Sequence, residues 1–499
     1  MNHLSRPISV INLYLFFLIL CLWWSVSCKK PDPDNVKLRF SCENATVLFD
    51  TVFTSIGSVT RNFTVHNPSN NDIKITVFLA GGNRSFYSIN VNGKPGTNEN
   101  NSYFENIEIP KKDSIYIFVT VNIDPRNQNN PFIVNDSIVF LTGSSGKQDV
   151  KLVAYGQDAR YIIANEGPEG LRYKVVAGLP FDENGQPTGY EKQHETWTNE
   201  RPYVVYGWAV IDSACSLTID PGTKIYFHNN SGLWAYRYSK LDVNGAIDAP
   251  VLFRGDRLES WFDDDYAQWS RVWINEGVDA TITNAIITNA FVGVQVEPLP
   301  TNNNDINVTQ NVVTIDKTII KNTKNCGVLS RFLNVEMTNC VIANNGASGL
   351  QLEGGNYILK HLTLANYFKQ TERKAPACYV SNKVSLYDDT PWDVKADFVN
   401  CIIYGRLETE AGVSKVQDAE LEVSFQNCLL KAKDPSSYFK DCLLNKDPKF
   451  TDIDRLDFKL LQGSPAIGCG IPNILEIDED ILGNPRGDKP DIGAFQYER

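Results

Sequence analysis

At 499 residues with 42% hydrophobic side chains, the chain is long enough for two or three domains and apolar enough to bury their cores. Its formal net charge of −12 excludes the concentrated basic face that nucleic-acid binding needs, and excludes adsorption to anionic lipid by charge alone. No long amphipathic helical pattern occurs, so an all-β fold is expected.

The N-terminus reads as an export signal. Arg6 precedes an apolar run from Ile8 to Trp24, shorter than the roughly 20 residues of a comfortable membrane span. Residues 1–27 are therefore expected to be a signal peptide. The segment Ser25-Val26-Ser27-Cys28 resembles the lipobox of bacterial lipoproteins, with Ser25 where that family prefers Leu. The resemblance implies lipidation of Cys28 and an outer-membrane lipid anchor; an ordinary secretory signal is the alternative. Residues 28–35, with Lys29-Lys30-Pro31-Asp32-Pro33-Asp34, read as a charged, proline-stiffened tether. The acidic residues behind Cys28 resemble the surface-export tethers of some Gram-negative lipoproteins, which places the protein on the cell surface, with the periplasmic face as the alternative.

Residues 36–158 carry alternating strands bounded by turn residues, among them Thr46–Phe53, Val59–His66, Ile73–Leu79, Ser114–Asn122, Ser137–Leu141 and Asp149–Tyr155. The pattern predicts an immunoglobulin-like (Ig-like) β-sandwich. Ser58–Pro68 and Val153–Gly156 resemble bacterial Ig-like domains that act as stalks or spacers. Residues 159–210, with few strand signals, read as a linker and N-terminal cap.

From 211 to 445 the chain repeats itself. Ile286–Asn289, Ile319–Asn322, Val341–Asn344 and Thr363–Asn366 align, their asparagines 33, 22 and 22 residues apart. The first three are followed by Gly293–Val296, Gly327–Ser330 and Gly349–Leu352, each a glycine and a short apolar strand. Short strands with a turn, recurring at about 22 residues, predict a right-handed parallel β-helix of about eight to ten rungs. The repeated Asn is expected at the bend, its amides stacking along the axis. Leu217–Phe227 resembles the opening rungs of secreted bacterial β-helix proteins. Trp269–Ile274 resembles their Trp-Gly-Gly-Ile segment, with Ser270 and Arg271 in place of the glycines. Trp269 and Trp273 are assigned to the rung core.

Of the 11 cysteines, setting aside Cys21 and Cys28 leaves nine. Cys326, Cys340, Cys401 and Cys428 each follow Asn, and Cys442 follows Asp441. With no metal-binding spacing they are expected to line the core. Residues 446–499 read as a C-terminal cap. Asp447–Phe450, Asp457–Leu460, Gly463–Ile467 and Asp491–Phe495 resemble the choice-of-anchor Q module of surface β-helix proteins, with Gly468-Cys469-Gly470 where that family has Asp-Ala-Gly. Around Gly483 and Gly487, Asp478, Asp480, Arg486 and Asp491 are expected to satisfy the capped end through Arg–carboxylate pairs, with calcium binding as the alternative.

The solenoid offers a long groove suited to an extended polymer. The polygalacturonase motif set is absent, and a lyase site scattered over rungs leaves no motif to search for. Two aromatic clusters are the candidate ligand sites. One is the insertion holding Trp261, Asp263, Asp264, Asp265 and Tyr266, whose aromatic rings suit sugar faces and whose carboxylates suit a hard cation. The other is Trp234, Tyr236 and Tyr238, on a loop before Lys240. His194, His228 and His361 stand isolated and are expected to be structural. No cofactor is required, calcium being the one cation the Asp run would suit. The leading expectation is a lipid-anchored surface protein that binds a polysaccharide or surface protein without catalysis. The alternatives are a polysaccharide lyase or glycoside hydrolase, and a structural spacer or adhesin.

Overall fold

The computed structural model describes residues 36–94, 102–125, 132–143, 146–167, 170–179, 186, 192–300, 307–384, 390–472 and 477–498. The expected signal peptide, Cys28 and the expected tether lie outside them. The chain forms two compact units, 1–157 and 158–499.

The first unit is built on alternation. In Ile73–Leu79 every second side chain is buried and the others face out, the period of a strand with one face on a core. A four-stranded antiparallel sheet and a five-stranded sheet turn such faces inward. One core holds Phe63, Val65 and Ile117 from the first sheet with Val77, Phe140 and Leu152 from the second.

The second unit is dominated by three long sheets of 11, 10 and 10 strands. From Arg172–Ala177 onward, successive strands of these sheets are dealt to them in rotation, so each pairs in parallel with the strand one turn later; Asn165–Glu166, at the start, pairs antiparallel with Arg172–Ala177. This is the connectivity of a parallel β-helix solenoid. The first sheet runs from Arg160–Ile163 to Leu443–Leu444, the second from Asn165–Glu166 to Ala411–Ser414, and the third from His194–Trp197 to Phe439–Lys440. The solenoid thus begins earlier than the sequence pattern suggested. Arg160–Ile163, Arg172–Ala177 and Tyr203–Tyr206 of the presumed linker are already rung strands. The polar insertion 178–192 separates the strands of that first turn and hides the repeat. Ile320, Ile342 and Leu364 stack 22 residues apart; other turns are longer because they carry insertions.

Inward side chains stack into one apolar column after another, such as Phe227 on Phe253 at 6.4 Å and Phe398 on Phe425 at 4.4 Å. The corners explain the asparagines. Where the third sheet hands over to the first, the backbone turns through a left-handed residue in successive rungs: Asn284, Lys317, Asn339, His361, Asn400, Asn427 and Asp441. Asn and Asp tolerate that conformation best among residues with a Cβ. The next residue points inward at a tight corner, which suits a small apolar thiol: Cys340, Cys401 and Cys428 are fully buried there. Asn289, Asn322 and Asn344 adopt the same conformation where the first sheet ends. Only part of the expected amide stack forms among the described residues. Asn344 Nδ2 donates to Asn322 Oδ1 at 2.6 Å, whereas Asn366 Oδ1 accepts from the Asn345 backbone.

In the C-terminal segment, Arg486 is buried and donates to Asn339 Oδ1 and to the carbonyls of Glu479 and Gly493. Asp480 accepts backbone N–H groups of Leu482 and Asn484, and Asp491 those of Gly468 and Tyr497. The ring is therefore satisfied mainly through backbone groups rather than by direct Arg–carboxylate bonds. Asp480 and Asp491 still favour the Arg486 charge through space, yet burial leaves its pKa lowered to about 10.

Candidate functional site

The outer face of the second sheet gathers the aromatic residues. Leu233 and Ala235 face the core, so the side chain between them, Trp234, faces out; Val272 and Ile274 impose the same on Trp273. Trp234 pairs with Trp273 in register, and Trp208 with Gly232. The indoles of Trp234 and Trp273 stack at 4.8 Å and 17°. Trp208 leans against both, at 6.2 and 5.8 Å, and Tyr236 meets Trp234 edge-on at 5.5 Å. Gly232 makes the arrangement possible, because a Cβ there would come within 2.5 Å of the Trp208 ring and 2.7 Å of the Arg271 carbonyl.

Polar groups rim this strip. Trp234 Nε1 donates to Asn275 Oδ1 at 2.6 Å, and Asn275 Nδ2 donates to the Glu297 carbonyl at 3.0 Å. Among the described residues the buried Trp273 Nε1 has no hydrogen-bond partner, an unusual cost for an indole donor. Beside the strip lies a cavity of about 330 Å³ lined by Leu171, Tyr173, Val175, Val210 and Asp212 together with Trp234 and Tyr236.

Further along the same sheet the face becomes charged and closed. Arg331 bridges Glu297 (2.7 Å) and Glu353 (2.9 Å), all three side chains nearly buried. The second oxygens of the two carboxylates accept from Gln295 (2.5 Å) and Gln351 (2.7 Å). Arg271 donates to Gln295 and lies over the Phe291 ring.

The two sequence-predicted clusters divide differently from expectation. Trp234 is on a strand rather than a loop, and with Tyr236 it joins Trp208 and Trp273. Trp273 therefore leaves the core to which it was assigned, while Trp269 stays there, stacked on Phe227 at 4.3 Å. Tyr238 stands apart: its ring covers Gly277 and its hydroxyl accepts from Asn307 at 2.6 Å. In the insertion, Asp263 pairs with Arg254 at 3.1 Å and Asp264 accepts from Asn322 at 3.3 Å. The carbonyls of Asp263 and Asp265 accept from Asn289 Nδ2 at 2.8 and 2.5 Å. These contacts pin the loop against the asparagine corner. Among the described residues no group of three His, Cys, Asp or Glu is placed to hold a metal ion. Trp261 is 54% exposed beside Phe262, and Tyr266 packs on Phe368 at 5.5 Å.

His228 is not isolated. Its Nδ1 lies 2.7 Å from Asp256 Oδ2, one rung on, and Tyr206 stacks on its ring at 4.5 Å from the rung before. Burial raises the Asp256 carboxyl pKa, opposed by the His228 contact. His194 meets Ser216 Oγ at 2.7 Å. Strand alternation could have marked Trp273 as outward; nothing local pairs His228 with Asp256.

No family model and no curated protein matches the chain. Among solved structures, the catalytic unit of a thermostable GH87 α-1,3-glucanase from Streptomyces thermodiastaticus is similar at 12% identity, covering 77% of this chain and 88% of that one, with a TM-score of 0.22. A family 123 glycoside hydrolase from Clostridium perfringens is similar at 10% identity over 28% of this chain and 30% of that one, with a TM-score of 0.20. The ASH/PapD-like domain of human CEP192 is similar at 12% identity over 32% and 97%, with a TM-score of 0.17. Scores this low carry no argument about activity.

Proposed function

We propose that the protein is an exported surface lipoprotein, anchored through Cys28, whose right-handed β-helix binds an extended glycan without chemical turnover. An N-terminal Ig-like domain serves as its stalk, and residues 446–499 cap the solenoid. The observation that carries the binding reading is the Trp208–Trp234–Trp273 strip. A sugar ring has an apolar C–H face and a rim of hydroxyls. The strip offers a continuous, partly exposed indole surface on neighbouring rungs, spaced by roughly 4.8 Å, with polar groups at its edges. The Asp212 carboxylate at the adjoining cavity is the hydroxyl partner in this reading.

The absence of turnover rests on the carboxylates of the same face. Glycoside hydrolysis uses two carboxyl groups facing the substrate. Glu297 and Glu353 are instead tied to Arg331 and to neighbouring amides. The test is a panel of neutral and acidic polysaccharides, scored by affinity electrophoresis, by new reducing ends and by the ultraviolet absorbance of unsaturated uronides. Retention on a glycan with no product supports the reading. New reducing ends would establish a hydrolase and new absorbance a lyase. Silence throughout would favour the spacer or adhesin.

A further inference from the structure

The corner between the third and first sheets carries thiols in adjacent rungs at the solenoid's C-terminal end. Ile402 pairs with Leu429 and Leu429 with Leu443, which puts Cys401, Cys428 and Cys442 in one column. All are free thiols. In-register neighbours on parallel strands lie roughly 4.8 Å apart, inside the range of about 4.4–6.8 Å between the Cα atoms of a disulfide. The side chains also point the same way. Cys428 Sγ donates to the Gln426 carbonyl at 3.3 Å, and Cys442 Sγ to the equivalent Lys440 carbonyl at 3.4 Å.

We infer that Cys428 and Cys442 form an oxidisable dithiol whose disulfide staples the last rung strand to the solenoid. Two observations select this pair over Cys401–Cys428. Cys442 is half-buried, whereas Cys401 and Cys428 are fully buried, so only Cys442 meets an oxidant from solvent. Among the described residues Leu443–Leu444 is the final, two-residue strand of its sheet. It is paired on one edge only, whereas Ile402–Gly405, the strand after Cys401, is paired on both. The neighbouring Cys428 thiol holds the Cys442 pKa below its ordinary value, while burial raises that of Cys428. The lower pKa makes Cys442 the attacking sulfur.

The chemistry is thiol–disulfide exchange with a small-molecule disulfide. The Cys442 thiolate attacks one sulfur of the oxidant, forming a mixed disulfide and expelling one thiolate. Cys428, losing its proton, then attacks the Cys442 sulfur and expels the second. Two electrons pass from the protein to the oxidant, and two protein thiol protons are lost. This inference is independent of the glycan reading.

The test treats the native, full-length reduced protein with oxidised glutathione, blocks remaining thiols with an alkylating agent, and maps tryptic fragments by mass. The expected product joins fragment 416–431 to fragment 441–446 with the loss of two hydrogens, and does not dominate when oxidation is carried out in denaturant. Cys442→Ser is expected to leave Cys428 alkylated. Recovery of Cys442 as a free thiol or a stable glutathione adduct with Cys428 unlinked would overturn the inference. So would a bridge from either residue to Cys401 or Cys469. The wild-type result decides even if the variant fails to fold.

Discussion

Acidification is predicted to loosen the solenoid where His361 meets the C-terminal segment. His361 is 2% exposed, and its Nε2 lies 3.1 Å from Asn400 Nδ2. The Asn400 amide is oriented by Ile471, donating to its carbonyl and accepting from its N–H, each at 2.9 Å. Asn400 therefore presents N–H to the ring, and Nε2 must be an acceptor, which requires the neutral imidazole. Desolvation, followed by the nearby Arg486 charge, lowers the pKa from its ordinary 6.5 to about 3. The unfolded chain then binds the extra proton between those values, so stability is fully present above pH 6.5 and is lost as pH falls toward 3. At about 1.4 kcal/mol per pH unit, roughly 3 kcal/mol of it is gone by pH 4. The perturbation is His361→Asn, chosen because the backbone there is left-handed (φ 53°) and Asn accepts that conformation. Urea unfolding of both proteins by circular dichroism at pH 7 and pH 4 is the assay. The variant should be less stable at pH 7, by about 1 kcal/mol for the lost hydrogen bond, and should gain on wild type by roughly 3 kcal/mol on acidification. Parallel pH profiles for the two proteins would refute a buried neutral histidine.

Replacing Arg331 with Met leaves Glu297 and Glu353 buried without their cation. The expected loss is about 3–5 kcal/mol at neutral pH, partly recovered by adding Glu297→Gln and Glu353→Gln, as read from urea midpoints. Asn289→Ala removes the amide that holds the Asp263 and Asp265 carbonyls; limited proteolysis should then cut within 256–268 sooner than in wild type, with the core strands unaffected. Gly327→Ala places a methyl 2.7 Å from the Gly349 carbonyl and 2.5 Å from Ile342. Both neighbours are fixed by the rungs, so a clear fall in melting temperature is expected.

The solenoid was legible because its period is written in local chemistry. Asn at a left-handed corner, a small residue after it, and apolar alternation within each strand all repeat along the chain. In the first unit the predicted strands Thr46–Phe53 and Ile73–Leu79 appear with the same bounds. The first turn escaped notice because its strands are separated by a long polar insertion, which breaks the period without breaking the stacking. Lys317 and His361 fill corner positions that composition would not assign to them. The aromatic strip was half visible: Trp234 and Tyr236 stood out as a cluster, but Trp208 and Trp273 join them only through rung pairing across irregular lengths of chain. The same irregularity concealed the Glu297–Arg331–Glu353 bridge and the His228–Asp256 pair. Side-chain type made the Asp263–Asp265 run a candidate for a hard cation; in the fold Asp263 pairs with Arg254 and Asp264 accepts from Asn322.

The most direct measurement compares retention of the wild type and Trp234→Ala on a glycan-impregnated gel, with product formation scored in parallel. Trp234 lies in the middle of the strip on the outward face of its strand, and the comparison is made on a variant whose fold is verified by circular dichroism. The account predicts wild-type retention on at least one polysaccharide, no product, and a loss of retention of at least tenfold in Kd for the variant, which corresponds to about 1.4 kcal/mol. Equal retention of both proteins, or release of sugar product by the wild type, would contradict it.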